Sequence, residues 1–172
     1  MSDLEITQAA PHERAILENL MQLYVHDFSE QWFDRPQGEL GPDGLFDPYP
    51  FDPYWREEDH IPLLIRRDGK LAGFALIDAH SHAGQTVDRN VAEFFVVRKH
   101  RRGGVGRTAA QAIFSLYPGV WEAAVARRNV GALAFWRRAV AEHPDVSEVS
   151  EVDIDSDAWM GPVLRFRIGR PG

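Results

Sequence analysis

The chain predicts an α/β (α+β) fold, a mixed sheet with helices on its faces, and three observations carry that prediction. Segments of strand period and helix period follow one another as strand, helix, long loop, three strands, helix, strand, helix and two strands. Asp68-Gly69 joins two apolar runs, Ile61–Arg67 and Leu71–Ile77, as a two-residue hairpin. Val91 to Tyr117 reads as a buried strand, a basic glycine-containing turn and a helix.

Leu4 to Ile6 is the first strand. Pro11 stands near the start of an amphipathic helix that runs to about Phe28. Ile16, Leu17, Leu20, Leu23 and Tyr24 fall on one stripe, with Glu13, Arg14, Glu18 and Gln22 on the other. Aromatics gather at its end as Tyr24, Phe28, Trp32 and Phe33, either packing on the core or lining a pocket. From Asp34 to His60, five prolines and three glycines exclude a long helix or a central strand. Phe46, Tyr49, Phe51, Tyr54 and Trp55 make this loop too aromatic for a disordered linker. Its acids, among them Asp34, Asp47, Asp52 and Glu57, together with its aromatic faces, suit an ammonium group, so it reads as a substrate-facing flap or as a packed loop.

Asp78 to Asn90 is a polar connection in which His80, Ser81 and His82 form a solvated turn. Spacing places no third ligand beside these histidines, and His12, His26, His60, His100 and His143 form no ligand pattern, so no metal site is expected. Thr108 to Leu116 has helical spacing and stops at Pro118-Gly119. Val120–Ala126 is the next strand, and Asn129–Glu142 a helix with Asn129 as N-cap, ended by Pro144. Val146–Ile154 alternates as a half-exposed strand should, and Val163–Ile168 closes an antiparallel pair with it. No repeat, low-complexity segment or domain boundary interrupts the chain, so residues 1–172 form one expected domain.

Composition bounds the function. The net charge of -7 argues against a general nucleic-acid binder, which needs a broad basic surface. Without cysteine there is no disulfide, thiol nucleophile or thiolate metal site, which fits a reducing compartment. The start, MSDLEITQ, lacks the basic and apolar regions of a secretory signal, and no run is long enough to span a bilayer. A cytoplasmic setting is the expectation, with no membrane partner. Oligomeric state is not fixed, and a homodimer is compatible with the sequence.

Against that negative charge, Arg98, Lys99, Arg101, Arg102 and Arg107 surround Gly103, Gly104 and Gly106 at the start of a helix. Unpaired N–H groups and the positive dipole end make a helix start an anion site, glycine lets backbone approach closely, and arginine forks match phosphate. The turn reads as a pyrophosphate cradle. It lacks the Lys-Ser/Thr ending of a P-loop and the G-x-G-x-x-G spacing of a dinucleotide fold. Arg101, Gly104 and Gly106 after a hydrophobic strand instead resemble the Arg/Gln-x-x-Gly-x-Gly/Ala signature of the GNAT superfamily of acetyltransferases. The strand Val120–Ala126 followed by Asn129, Ala132 and Phe135-Trp136 resembles that family's later motif.

The resemblance implies a mostly antiparallel sheet of six to seven strands with helices on both faces, acetyl-CoA as cofactor, and an amine of a small molecule or peptide as acceptor. It implies that N–H groups from about Arg102 to Thr108, through Gly103, Gly104, Val105, Gly106 and Arg107, hold the pyrophosphate. It also implies that the strand end Phe95-Val96-Val97 offers backbone groups to the pantetheine arm, and that Asn129, Phe135 and Trp136 lie beside the cofactor. Phe135 and Trp136 also read as plain core packing. Tyr24 and Phe28 with Tyr49, Tyr54 and Trp55 are the candidate acceptor-binding residues. Glu93 interrupts an apolar strand and shares the face of Phe95 and Val97, which makes it the candidate general base for deprotonating the amine. Trp136 stands where many members of the superfamily carry a proton-donating tyrosine, and indole is no useful acid. A non-catalytic acyl-CoA sensor and a nucleotide binder are the competing readings.

Overall fold

A computed structural model describes residues 2–169. Its strands are β1 Leu4–Gln8, β2 Ile61–Arg67, β3 Lys70–Asp78, β4 Arg89–Val96, β5 Gly119–Ala124, β6 Val146–Asp155 and β7 Met160–Ile168. Its helices are α1 Arg14–Ser29, α2 Val105–Leu116 and α3 Val130–Ala141. The strands form one seven-stranded sheet in the order β1-β2-β3-β4-β5-β7-β6, antiparallel throughout except for β4 beside β5. Asp68 (φ 50°) and Gly69 (φ 74°) turn β2 into β3, both in the left-handed region that a two-residue hairpin demands.

Alternation along the strands feeds two cores, one per face. Leu64, Phe74, Leu76 and Phe95 meet Leu17, Leu20 and Met21 of α1 and Phe51 and Tyr54 of the 34–60 loop. Leu63, Ala75, Ile77 and Trp121 meet Ile113 and Phe114 of α2 and Ala139 and Val140 of α3. Phe114 contacts Trp121 and Phe166 edge-on at 5.0 Å each, the arrangement that ring quadrupoles favour.

Two expectations are corrected. Leu23 is 54% exposed and leaves the apolar stripe, because Leu17, Leu20, Met21 and Tyr24 take the i, i+3, i+4, i+7 positions and Leu23 falls off that face. β6 is exposed along nearly its whole length rather than half-exposed, since it is an edge strand paired on one side only. Its acids Glu148, Glu151 and Asp153 are bonded to Arg167, Arg137 and Arg127, and such charge protects an edge from further pairing.

Gly73 fixes the approach of β3 to β4. A Cβ there would collide with the carbonyl oxygen of Phe95, a backbone atom that cannot swing away. Gly73→Ala is therefore expected to destabilise the fold by about 2–4 kcal/mol, in the range of severe packing defects. Urea unfolding of the two proteins checks this, and equal midpoints would refute it.

Candidate active site

β4 and β5 pair only at Arg89↔Trp121 and Asn90↔Glu122 and then diverge. The fork opens into a cleft of about 1510 Å³, with β4 as its floor, the end of α1 on one side and the end of β5 with α3 on the other. In β4 an extra residue, Ala92, lies between Val91 opposite Ile77 and Glu93 opposite Leu76. Such a bulge re-aims side chains. Val91 and Phe94 pack toward α2 and α3, while Ala92 and Phe95 pack toward α1.

Glu93 is half-buried and lines the cleft. Burial pushes its carboxyl up to about 7; the Tyr24 hydroxyl opposes that rise, the Asp78 charge adds to it, and Tyr49 and His82 pull it back. Tyr24 packs on Phe74 and Phe95 with centroids 5.8 and 5.5 Å away, and Phe28 follows it at 5.9 Å, so the end of α1 forms an aromatic wall. Tyr24, Phe28 and Tyr49 all line the cleft. Burial raises the hydroxyl of Tyr24, and that of Tyr49 likewise, with the Glu93 charge adding to both.

The other two aromatic candidates stand behind this wall. Tyr54 is 5% exposed and touches Tyr49 through its hydroxyl, and Trp55 donates its indole N–H to the Ala9 carbonyl at 3.0 Å. Neither lines the cleft. The loop is thus packed by Phe51, Tyr54 and Trp55 and offers Tyr49 to the cleft.

At the cradle, Gly103 (φ 89°) and Gly104 (φ 78°) take left-handed conformations that glycine adopts without cost. The first helical bond of α2 runs from Thr108 N to Gly104 O at 3.0 Å, so the amides before it have no helical acceptor. A side chain begun at Gly104 would meet only Arg107 Nη2, at 3.8 Å, which leaves room for an anion against those amides. One begun at Gly106 would reach the Phe135 ring at 3.3 Å, so that glycine admits α3 close to α2. Gly104, Gly106 and Arg107 line the cleft, whereas Val105 is buried beneath the turn, and Arg102, Gly103 and Thr108 are exposed at its edge.

Arg101 differs from expectation in its partners. Its Nε donates to the Val96 carbonyl (2.8 Å) and its Nη2 to Asp27 (2.6 Å), which Arg98 also binds, so the signature arginine shapes the turn and ties it to α1. Asp27 is pushed up by burial, but these two arginines outweigh that and hold it below the usual range. The backbone of β4 shifts the expectation by one residue. Val97 N donates to Ala72 O, so by antiparallel alternation Phe95 also turns its polar groups to β3. The groups facing the fork belong to Phe94 and Val96.

Asn129 caps α3, its Oδ1 accepting from Ala132 N at 3.1 Å, and it lines the cleft with Phe135 and Trp136. Trp136 is 8% exposed and wedged against Phe94 at 5.1 Å and Phe135 at 4.9 Å, so it packs in the core and shows one edge to the cleft. Arg128 binds both carboxylate oxygens of Asp34, at 2.6 and 3.0 Å, joining the start of α3 to the chain just beyond α1.

Sequence reasoning missed a second acid in an apolar strand, though the signal that marked Glu93 marks Glu122 equally. Glu122 is fully buried at the fork and accepts from Ser81 Oγ and His82 N, both at 2.6 Å. The 80–82 segment is therefore no solvated turn. It is pinned to the sheet, with His82 packed against Trp159 at a centroid distance of 4.5 Å, the rings tilted by 59°. Burial pushes Glu122 up, yet the bonds from His82 and Ser81 outweigh it and hold the carboxyl low. The stability it contributes is present above the ordinary glutamate range and is lost as pH falls through its lowered value. Glu122→Ala strands both donors and is expected to cost about 3 kcal/mol near neutral pH, read by urea unfolding. An unchanged midpoint would refute the pinning role.

Among the described residues, Glu57, Asp59 and His60 bring ligand-type atoms within 4.8 Å of one another, a grouping that spacing had not suggested. It is a largely exposed acidic cluster outside the cleft lining. No helix among the described residues is long and apolar enough to cross a membrane.

The fold is shared with solved acetyltransferases. Aminoglycoside acetyltransferase AAC(6')-Ib in complex with coenzyme A and kanamycin is 12% identical over 96% of this chain and 95% of its own, with a TM-score of 0.62. An acetyltransferase from Thermus thermophilus is 14% identical over 96% of each chain, with a TM-score of 0.63. The ribosomal-protein-S18-alanine N-acetyltransferase from Escherichia coli is 12% identical over 99% of this chain and 97% of its own, with a TM-score of 0.55. No curated protein matches the chain in sequence. The sequence profile of the acetyltransferase (GNAT) family matches residues 17–140. That match spans well over half of the sequence and includes both walls of the cleft, and it decides the matter: the chain belongs to the acetyltransferase (GNAT) family, acyltransferases whose donor is acetyl-CoA.

Proposed function

We propose that this protein acetylates a primary amine of a small molecule or peptide by direct attack, with Glu93 as general base. The observation that carries the reading is the bulge at Ala92, which turns a half-buried carboxylate with a pKa of about 7 into the cleft below the fork. An alkylamine has a solution pKa of about 10.4, so near neutrality nearly all of it carries the proton that Glu93 has to accept. The pocket around Glu93 suits that cation, since Asp78 lies close enough to act on Glu93 and the aromatic rings of Tyr24 and Tyr49 flank it.

When bound, acetyl-CoA supplies the activated acyl group as a thioester. The amides at Gly104, Val105, Gly106 and Arg107 suit its diphosphate, and the fork-facing groups of Phe94 with the N–H of Val96, whose carbonyl is held by Arg101, suit an extended amide-bearing arm. Glu93 takes the amine proton at its carboxylate and passes it on toward water, while the acyl carbon exchanges its bond to sulfur for one to the amine nitrogen and the sulfur departs as thiolate, Trp136 having no acidic proton to give it. Aminoglycoside and ribosomal-protein acetyltransferases share the fold, which supports an amine acceptor without selecting one. The absence of cysteine supports a reducing, cytoplasmic setting, and the net charge of -7 supports an enzyme without a nucleic-acid partner.

A second reading is an acyl-CoA sensor, favoured by Trp136, which offers no acidic proton where one is usual in the family. Thiol release followed with a colorimetric reagent across an amine library separates the two. Turnover with any amine supports the transferase. Tight acetyl-CoA binding with silence toward every amine supports the sensor.

A further inference from the structure

We propose that His82 and Trp159 form a subsite for a hydroxyl group on the acceptor, so that the preferred substrate is an amino alcohol. This rests on the reading of the cleft as an amine-acceptor site. Both residues line the cleft with Glu93. Trp159 lies in the turn between β6 and β7, where Ser156 N donates to its carbonyl at 3.0 Å, and its ring packs on His82 at 4.5 Å with the two planes tilted by 59°. Its indole Nε1 is buried and has no partner among the described residues. A buried donor left unpaired costs free energy, and indole N–H can only donate, so it needs an oxygen or another acceptor.

His82 adds the complementary half. Its backbone is clamped to Glu122, and its Nδ1, buried and without a hydrogen-bond partner, lies 3.6 Å from Glu122 Oε1. That carboxylate favours the ring proton on Nδ1 and leaves Nε2 as the nitrogen with a free lone pair. One edge of the subsite thus donates and the other accepts. A carboxylate on the ligand is disfavoured by the nearby acids Glu93, Asp78 and Glu122. A carbonyl satisfies Trp159 but not His82. A hydroxyl accepts from Trp159 Nε1 and donates to His82 Nε2 with a single atom. Gln31 Oε1, also buried and unpartnered in the cleft lining, adds one more acceptor for a polyhydroxylated ligand.

The test compares 1,3-diaminopropan-2-ol with 1,3-diaminopropane, which differ by that one group, in calorimetric titrations of the protein saturated with coenzyme A, where no turnover occurs. The expected result is about tenfold tighter binding of the hydroxylated amine, the value of a well-made hydrogen-bonded contact. Trp159→Phe keeps a ring on His82 but deletes the donor, and His82→Ala deletes the acceptor. Each is expected to bring the ratio of the two affinities to about twofold or less. Equal affinities in the parent protein, or a preference that survives both substitutions, would overturn the subsite while leaving the acceptor reading of the cleft standing. If neither amine binds, the subsite is overturned, and the acceptor reading is judged separately by the amine library.

Discussion

Glu93→Gln is expected to lower kcat by about 10²- to 10⁴-fold with any amine the protein acetylates, the usual contribution of a positioned general base. The substitution keeps the shape and the contacts with Tyr24 and Tyr49 but cannot accept a proton. The parent protein adds a second signature. Burial raises the Glu93 carboxyl to about 7, so the catalytically competent, charged form appears only as pH rises through that value. The kcat profile should therefore carry an ascending limb near pH 7, and Glu93→Gln should abolish that limb as well as the rate.

Stability moves the other way. The folded protein holds a proton on Glu93 between the ordinary glutamate range and about 7, where the unfolded chain has released it, so this group erodes stability as pH rises across that window. Glu93→Gln is expected to be more stable than the parent at pH 8 by about 2 kcal/mol, and nearly equal to it at pH 4. Urea unfolding at both pH values reads the difference. A variant that keeps its rate and its pH limb would remove Glu93 from the mechanism, whatever its stability.

Gly104→Glu is expected to weaken coenzyme A binding by at least about 100-fold. Two effects act together and are separable. The backbone at Gly104 has φ 78°, so any side chain there costs roughly 1–2 kcal/mol in backbone strain. The glutamate also places a negative charge in the space that is open against the helix-start amides, where like-charge juxtaposition costs several kcal/mol. Gly104→Ala carries the strain without the charge, so it should lose stability but keep most of its affinity in calorimetric titration. Should the glutamate variant fold and bind coenzyme A like the parent, the diphosphate does not dock at this turn.

The order of elements was legible because period-two and period-3.6 apolar patterns, Asp68-Gly69 and Pro118-Gly119 are local signals whose physics acts within a few residues. The strand, glycine turn and helix start around Gly104 were legible for the same reason, since they are consecutive. Glu93 could be singled out because an acid in an apolar strand conflicts with its surroundings.

Packing decided the rest. Arg101 found its acceptors in Asp27 and the Val96 carbonyl, and a turn arginine cannot announce which carboxylate will reach it across 74 positions of chain. The bulge at Ala92 depends on how β3 and β4 register, and it determined that Phe94 and Val96 rather than Phe95 and Val97 address the fork. The sequence by itself determined the strands, the helices and the glycine turn that opens α2. Only the tertiary structure set Glu93, His82 and Trp159 around one space, with Glu122 buried behind His82, because burial and pairing between distant segments are properties of the assembled sheet.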